Sequence, residues 1–335
     1  MMRLPPFRYL KPKSAGEAAR MLADHARDEA MAVSGGTDLY PNMKRRQFEP
    51  KVLVGLRALE GGREVAMGED KGLEIGGLAT LQSLERSALL QAQFPALAKA
   101  AGLVSSPILR HMGTLGGNLC VDTRCTYYNQ TYDWRKAIDF CMKKDGAICW
   151  VAPSSPRCWA VSSSDTAPVL IALDASVTLV GPSGERRIPV KDLYRPDGID
   201  FVTKKRDEIL TEIHVPASNG MRATYLKLRR RDSIDFPILG VAVAIATAKD
   251  GTVTKARIVL TAVESAPVEA EKAQALIVGK KLTDDLIEEA AALAYRPAKP
   301  LDNTDLSNPY RKKMAKVYVA RALRELMTLG APGGS

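Results

Sequence analysis

Apolar residues recur at helical spacing over AGEAARMLADHA, residues 15–26, with Ala18, Met21 and Leu22 on one face. Ser14 and Glu17 precede this stripe at the spacing of a capping box, which predicts where the helix opens. Short apolar runs at Met31–Val33, Lys51–Val54 and Leu73–Ile75 read as strands. Phe94–Leu103 and Ala167–Leu173 read as short apolar helices, and Ser176–Val180 and Glu208–Val215 alternate as strands. Farther on, Ala223–Arg229, Gly240–Ala248 and Thr252–Val263 are predicted strands, the last two joined by the turn signal Lys249-Asp250-Gly251. Three helices, at 267–278, 284–294 and 309–328, close the pattern. Asn308 is expected as the N-cap of the last and Pro309 at its first turn, with Ala331–Ser335 a frayed tail.

The pattern divides into three units with no internal repeat. Residues 1–57 form a small α/β subdomain, 58–220 a larger α/β unit, and 221–330 a C-terminal α/β domain. The second unit carries an insertion at about 122–161. No apolar run approaches the roughly 18 residues of a membrane span. The N-terminal MMRLPPFRYLKPKS has no signal-peptide core, so a cytoplasmic protein away from membranes is expected.

Charge changes the picture little. Lys and Arg number 48 against 38 Asp and Glu, a net +10. The basic residues are scattered, and the runs Arg229–Arg231 and Arg311–Lys313 are short and without any nucleic-acid signature. A solvated basic face is expected and nucleic acid is not, while an acidic protein partner or an anionic small molecule stays open.

Two features suggest chemistry. The first is a pair of double-glycine turns, Ser34-Gly35-Gly36-Thr37-Asp38 and Thr114-Leu115-Gly116-Gly117-Asn118. Glycine lets backbone amides approach a ligand, and successive amides cradle phosphate oxygens. Two such turns could clasp a pyrophosphate from both sides. Neither fits the dinucleotide fingerprint G-x-G-x-x-G. The second is five cysteines, all between Cys120 and Cys158. Independent buried thiols would not cluster in this way, and a cytosolic chain disfavours disulfides. Cys125, Cys141, Cys149 and Cys158 are separated by 16, 8 and 9 residues, without a C-x-x-C knuckle. Four thiolates suit zinc or an iron–sulfur cluster, and spacing does not choose between them. All three Trp (Trp134, Trp150 and Trp159) fall in or beside the segment, with Tyr127, Tyr128, Tyr132 and Phe140, as cover for the loop. Cys120 reads as a buried thiol outside the four. The histidines His25, His111 and His214 show no ligand spacing.

VSGGTDLYPNM, IGGLATL, TLGGNL, SSDTAPVLIALDA, DEILTEIHVP and YLKLRRRDSIDFPILGVAVA occur in that order. Together they resemble the FAD-binding medium subunits of the molybdenum hydroxylases, the xanthine dehydrogenase and carbon monoxide dehydrogenase group, over nearly the whole chain. The resemblance implies an α/β (α+β) chain in which a two-subdomain FAD-binding fold is followed by a C-terminal α/β domain. It implies FAD bound by Val33, Ser34, Gly35, Gly36, Thr37, Asp38 and Leu39 and by Thr114, Gly116, Gly117 and Asn118. It further implies Asp165 on the ribitol or ribose side, Leu210 packed on the cofactor, and Lys227 near the flavin ring, its charge stabilising the anionic reduced form. Read without the resemblance, Asp165 is a helix N-cap and Lys227 a surface lysine.

Most members of that group pass almost directly from the second glycine turn to the Ser-Asp segment. The insertion and its cysteine separations resemble the β subunits of the 4-hydroxybenzoyl-CoA reductases, a branch of the group. That likeness implies a [4Fe–4S] cluster on Cys125, Cys141, Cys149 and Cys158. It also implies a molybdopterin-containing large subunit and a [2Fe–2S] small subunit in a dimer of heterotrimers, with ferredoxin as electron donor. Electrons would then run inward for reductive dehydroxylation to benzoyl-CoA, with the catalytic molybdenum on another subunit. The alternatives are an ordinary molybdenum hydroxylase flavin subunit with outward flow, and a zinc-stapled FAD-binding scaffold.

Overall fold

The computed structural model describes residues 3–328, so the tail expected at 331–335 lies outside the described residues. Among the described residues, twelve strands form three sheets. The first contains β1 (Arg8–Leu10), β2 (Ala30–Val33) and β3 (Val52–Gly55) in the order β1-β3-β2, all parallel. β3 is buried along its whole length, as expected of a central strand covered on both faces. The crossover helix Ala15–Ala23 covers one face. Its Ala18, Ala19 and Leu22 pack on Val52 and Val54, and on Leu78 and Ile209 of the second unit.

The second sheet is antiparallel, in the order β4 (Val65–Met67), β5 (Leu73–Gly76), β8 (Ile209–Val215), β6 (Ser176–Gly181), β7 (Gly184–Pro189). The helices Pro95–Gly102 and Thr166–Ala172 pack in its core. The third sheet, also antiparallel, runs β12 (Val268–Glu269), β11 (Val253–Thr261), β10 (Leu239–Thr247), β9 (Arg222–Leu228). Alternation along β10 explains how it joins two cores. Leu239, Val241, Val243 and Ile245 face the helices Glu271–Ile277, Asp284–Ala294 and Asn308–Thr328, whereas Ala242 and Ala244 enter the core of the second sheet.

Several local expectations shift. The first helix stops at Ala23, and Glu17 reaches back to the Lys13 amide (2.6 Å) while Ser14 accepts from the Glu17 amide. Residues 268–269 are the edge strand β12, because they pair with β11 at Val259 and Leu260; the helix begins only at Glu271. Asn308 is already helical, and its side-chain oxygen bonds nothing among the described residues, so it does not act as the expected cap. The second double-glycine segment is the first turn of the helix Leu115–Leu119, because the Thr114 hydroxyl caps the Gly117 amide at 3.1 Å. Among the described residues no helix is long and apolar enough to cross a membrane.

The insertion is pinched at its neck by a two-residue bridge, with Arg124 and Val161 exchanging amide hydrogen bonds of 2.9 and 2.7 Å. Past the neck it lies against both flanking units. Arg135 donates to the carbonyls of Arg45 and Arg46 (3.1 Å each) at the end of the helix Leu39–Lys44, and Gln47 donates to the Tyr128 carbonyl at 2.5 Å. On the other side Arg157 pairs with Glu264 at 2.7 Å, and Asn303 donates to the Trp159 carbonyl.

Candidate functional site

The first glycine loop leaves the end of β2 and turns into the helix Leu39–Lys44. Gly36 has φ +70, and a Cβ there would meet the Tyr40 ring. At Gly35 a Cβ would overlap the Met112 carbonyl, because the two loops touch backbone to backbone. They are also joined by a hydroxyl pair, Ser34 Oγ to Thr114 Oγ1 at 2.9 Å. A Cβ on Gly117 would lie 2.9 Å from Thr114 Oγ1. The sequence places glycine wherever a side chain would separate the loops or fill the space between them.

A cavity of about 550 Å³ opens along this seam. Its volume lies in the range of cofactor clefts. Every residue from Val33 to Leu39 lines it, as do Thr114, Gly117 and Asn118. The donors present fit a dinucleotide such as FAD: the amides of the first glycine loop and the hydroxyls of Ser34, Thr37 and Thr114, in a glycine-walled cradle, whereas the amides of Leu115, Gly116 and Gly117 are already taken by the Ala79 and Gly77 carbonyls and the Thr114 hydroxyl.

Four of the expected flavin contacts do not line this cavity. Gly116 is needed for packing, since a Cβ would lie 2.8 Å from the Gly77 carbonyl oxygen. Leu210 is a core residue of β8. Asp165 does not cap its helix either; it accepts from Tyr225 Oη at 2.7 Å and from Lys227 Nζ at 2.9 Å. Lys227, whose side chain is 1% exposed, gives its other hydrogens to the Leu103 and Asp235 carbonyls at 2.9 Å. Burial pushes the Asp165 carboxyl up and the Lys227 ammonium down, each opposed by its partner. The pair therefore fastens β9 and the 229–236 loop to the second unit. The Ser-Asp segment reaches the site indirectly, through Asn118 Oδ1, which accepts from Ser164 Oγ, Thr166 Oγ1 and the Thr166 amide.

The sequence reading missed Asp122, Tyr128, Lys143 and Phe236, which also line the cavity. They come from the insertion and the β9–β10 loop, and only tertiary packing brings them to the glycine loops. Arg124 links these parts, pairing with Asp38 while its guanidinium lies 4.2 Å above the Phe236 ring. Burial brings its pKa down to about 10. The run Arg229–Arg231 is no free basic face. Each arginine faces an acid: Asp232 at 3.6 Å, Asp305 at 3.3 Å and Asp235 at 2.5 Å.

Cys125, Cys141, Cys149 and Cys158 are free, buried, and line one small cavity of about 10 Å³ with Tyr127, Tyr128, Lys143 and Trp150. Burial is the main cause that pushes the Cys125 thiol up to about 12 and Cys158 to about 11, so a metal would have to displace their protons. Among the described residues no three Cys, His, Asp or Glu are arranged to hold a single metal ion. Four thiols with no other donor suit either zinc or an iron–sulfur cluster. Cys120 lies apart, in the wall of the large cavity, where burial raises its pKa. The aromatic cover is uneven: Trp150 lines the cysteine cavity but is 37% exposed, and Trp134 is 39% exposed.

Comparisons with known proteins agree with this geometry. Residues 5–218 match the family described as FAD binding domain in molybdopterin dehydrogenase, and residues 223–326 match the CO dehydrogenase flavoprotein C-terminal domain. The carbon monoxide dehydrogenase medium chain of Afipia carboxidovorans is 30% identical over 95% of each chain. The xanthine dehydrogenase FAD-binding subunit of Escherichia coli O157:H7 is 22% identical over 97% of each. A crystal structure of the Cu,Mo-CO dehydrogenase superposes with TM-score 0.81 at 27% identity, covering 98% of this chain and 99% of that one. The chain belongs to the FAD-binding subunit family of the molybdenum hydroxylases, with the mixed α/β fold of CO dehydrogenase flavin subunits.

Proposed function

From that membership, we propose that the chain is the electron-transfer flavoprotein subunit of a complex of the 4-hydroxybenzoyl-CoA reductase type. Its partners in this reading are a molybdopterin-containing large subunit and a [2Fe–2S] small subunit, in a dimer of heterotrimers that takes electrons from reduced ferredoxin. Bound FAD would supply redox chemistry able to join one- and two-electron partners. The residues of this chain would hold it by the amides and hydroxyls of Ser34–Asp38 and the Thr114 hydroxyl, with Gly117 and Asn118 lining the cradle, and the reaction on the aromatic substrate belongs to another subunit.

One observation carries the finer reading: four free cysteines from a single insertion line one small cavity, which shares Tyr128 and Lys143 with the cavity expected for FAD. We assign them a [4Fe–4S] cluster. The named relatives support the broader alternative better, a flavin subunit of carbon monoxide or xanthine dehydrogenase type with electrons flowing outward. The cysteine cavity is what favours an inward-flowing reductase over it.

The test is iron, acid-labile sulfide, zinc and flavin content of the purified complex, followed by anaerobic mixing with reduced ferredoxin. Iron and sulfide at cubane stoichiometry, with flavin bleached by ferredoxin, are expected. Zinc in place of iron would leave only a stapled scaffold. Iron absent, with flavin reduced only from the substrate side, would return the chain to the outward-flowing type.

A further inference from the structure

Two residues stand in the wall between the large cavity and the cysteine cavity. Lys143 and Tyr128 line both. The Lys143 side chain is 6% exposed, and its Nζ donates to Asp122 Oδ1 at 2.7 Å, Thr123 Oγ1 at 2.5 Å and the Gly198 carbonyl at 2.6 Å. Three acceptors take the three hydrogens of an ammonium group, and the Tyr128 ring lies beneath it at 4.8 Å. Asp122 is 9% exposed and lines the large cavity but not the cysteine cavity. Its Oδ2 is buried and has no hydrogen-bond partner among the described residues. Lys143 thus puts a buried positive charge in the wall the two cavities share, and its counter-ion Asp122 lines only the large one.

We propose that Lys143, oriented by Asp122, is a positioning residue that sets the reduction potential of the centre held by the four cysteines. This rests on the cluster reading given above. A cluster with four thiolate ligands is anionic, and one-electron reduction adds a further negative charge. A fixed positive charge in the cavity wall favours the reduced form, and low dielectric keeps that interaction weakly screened. Asp122 opposes it from farther away while holding the ammonium in place.

The experiment is EPR-monitored redox titration of the purified complex carrying Lys143→Gln, Lys143→Arg or Asp122→Asn, with iron and flavin content measured in each. Lys143→Gln should lower the cluster midpoint by about a tenfold change in the reduction equilibrium, which is about 59 mV for one electron. Asp122→Asn should raise it, and Lys143→Arg should stay close to the parent. Opposite signs are what a merely structural role would not give. Should Lys143→Gln lose the cluster, Asp122→Asn decides: a raised midpoint supports the proposal and an unmoved one overturns it. Midpoints unmoved, or shifted in the same direction in both variants, overturn the role of Lys143 alone. A parent complex without iron overturns the cluster reading, and this inference with it.

Discussion

Replacing Gly35 by alanine should be the most damaging single-methyl change at the flavin site. The added Cβ would stand 2.6 Å from the Met112 carbonyl carbon and closer still to its oxygen. That obstacle is backbone and cannot rotate away, so the two loops must part. Overpacking of this kind costs about 1–3 kcal/mol, and a rigid obstacle places Gly35 at the upper end. Parting the loops also breaks the Ser34–Thr114 hydroxyl pair, which is worth about 1 kcal/mol. The sum, about 4 kcal/mol, lowers the melting temperature of a domain of this size by roughly 8–16 °C. Gly117→Ala is the control. Its Cβ meets the Thr114 hydroxyl, a side-chain atom, at 2.9 Å. Rotating that hydroxyl costs roughly one helix cap, about 1 kcal/mol. The assay is a calorimetric melt of both variants with flavin-to-protein ratios. A Gly35→Ala protein melting within about 2 °C of the parent and keeping its FAD would refute the backbone-contact argument.

Cys141→Ser and Cys149→Ser should each remove the iron–sulfur absorption, while Cys120→Ser, in the other cavity, should retain it; an essential Cys120 would move the ligand set. Lys227→Met leaves Asp165 buried and unpaired, so it should destabilise by about 3–5 kcal/mol in a denaturant titration, with Asp165→Asn in the same chain recovering part of the loss. A flavin midpoint shift without loss of stability would instead put Lys227 at the cofactor. Arg186 holds the Glu208 carboxyl below the usual carboxylate range. Its stabilisation is therefore complete above the unfolded value of about 4.3 and is lost as pH falls through the lower folded value. Melting temperature against pH should show that acid limb flattened in Glu208→Gln, and an unchanged limb would assign acid sensitivity to other carboxylates.

Much of this protein is legible without its structure. Strands and helices follow from periodicity because burial on one face or two dictates which positions are apolar, as β3 and the alternating β10 show. The double glycines mark the meeting of the two loops because a Cβ at Gly35 would run into the Met112 carbonyl and one at Gly36, where φ is +70, into the Tyr40 ring. The crowding of cysteines picks out in advance the four thiols that share one small cavity. Tertiary structure decides what depends on partners distant in sequence. Asp165 looks like a helix cap or a ribose ligand until Tyr225 and Lys227, some 60 residues on, close around it. Asp122 and Lys143 carry no motif; they matter because the neck of the insertion folds them into a wall shared by two cavities. The basic run Arg229–Arg231 shows the same limit, since its charge is met by Asp232, Asp235 and the distant Asp305. Sequence records the local demands of backbone and burial, whereas the electrostatics of a site depend on which charges the folded chain brings together and which it removes from water.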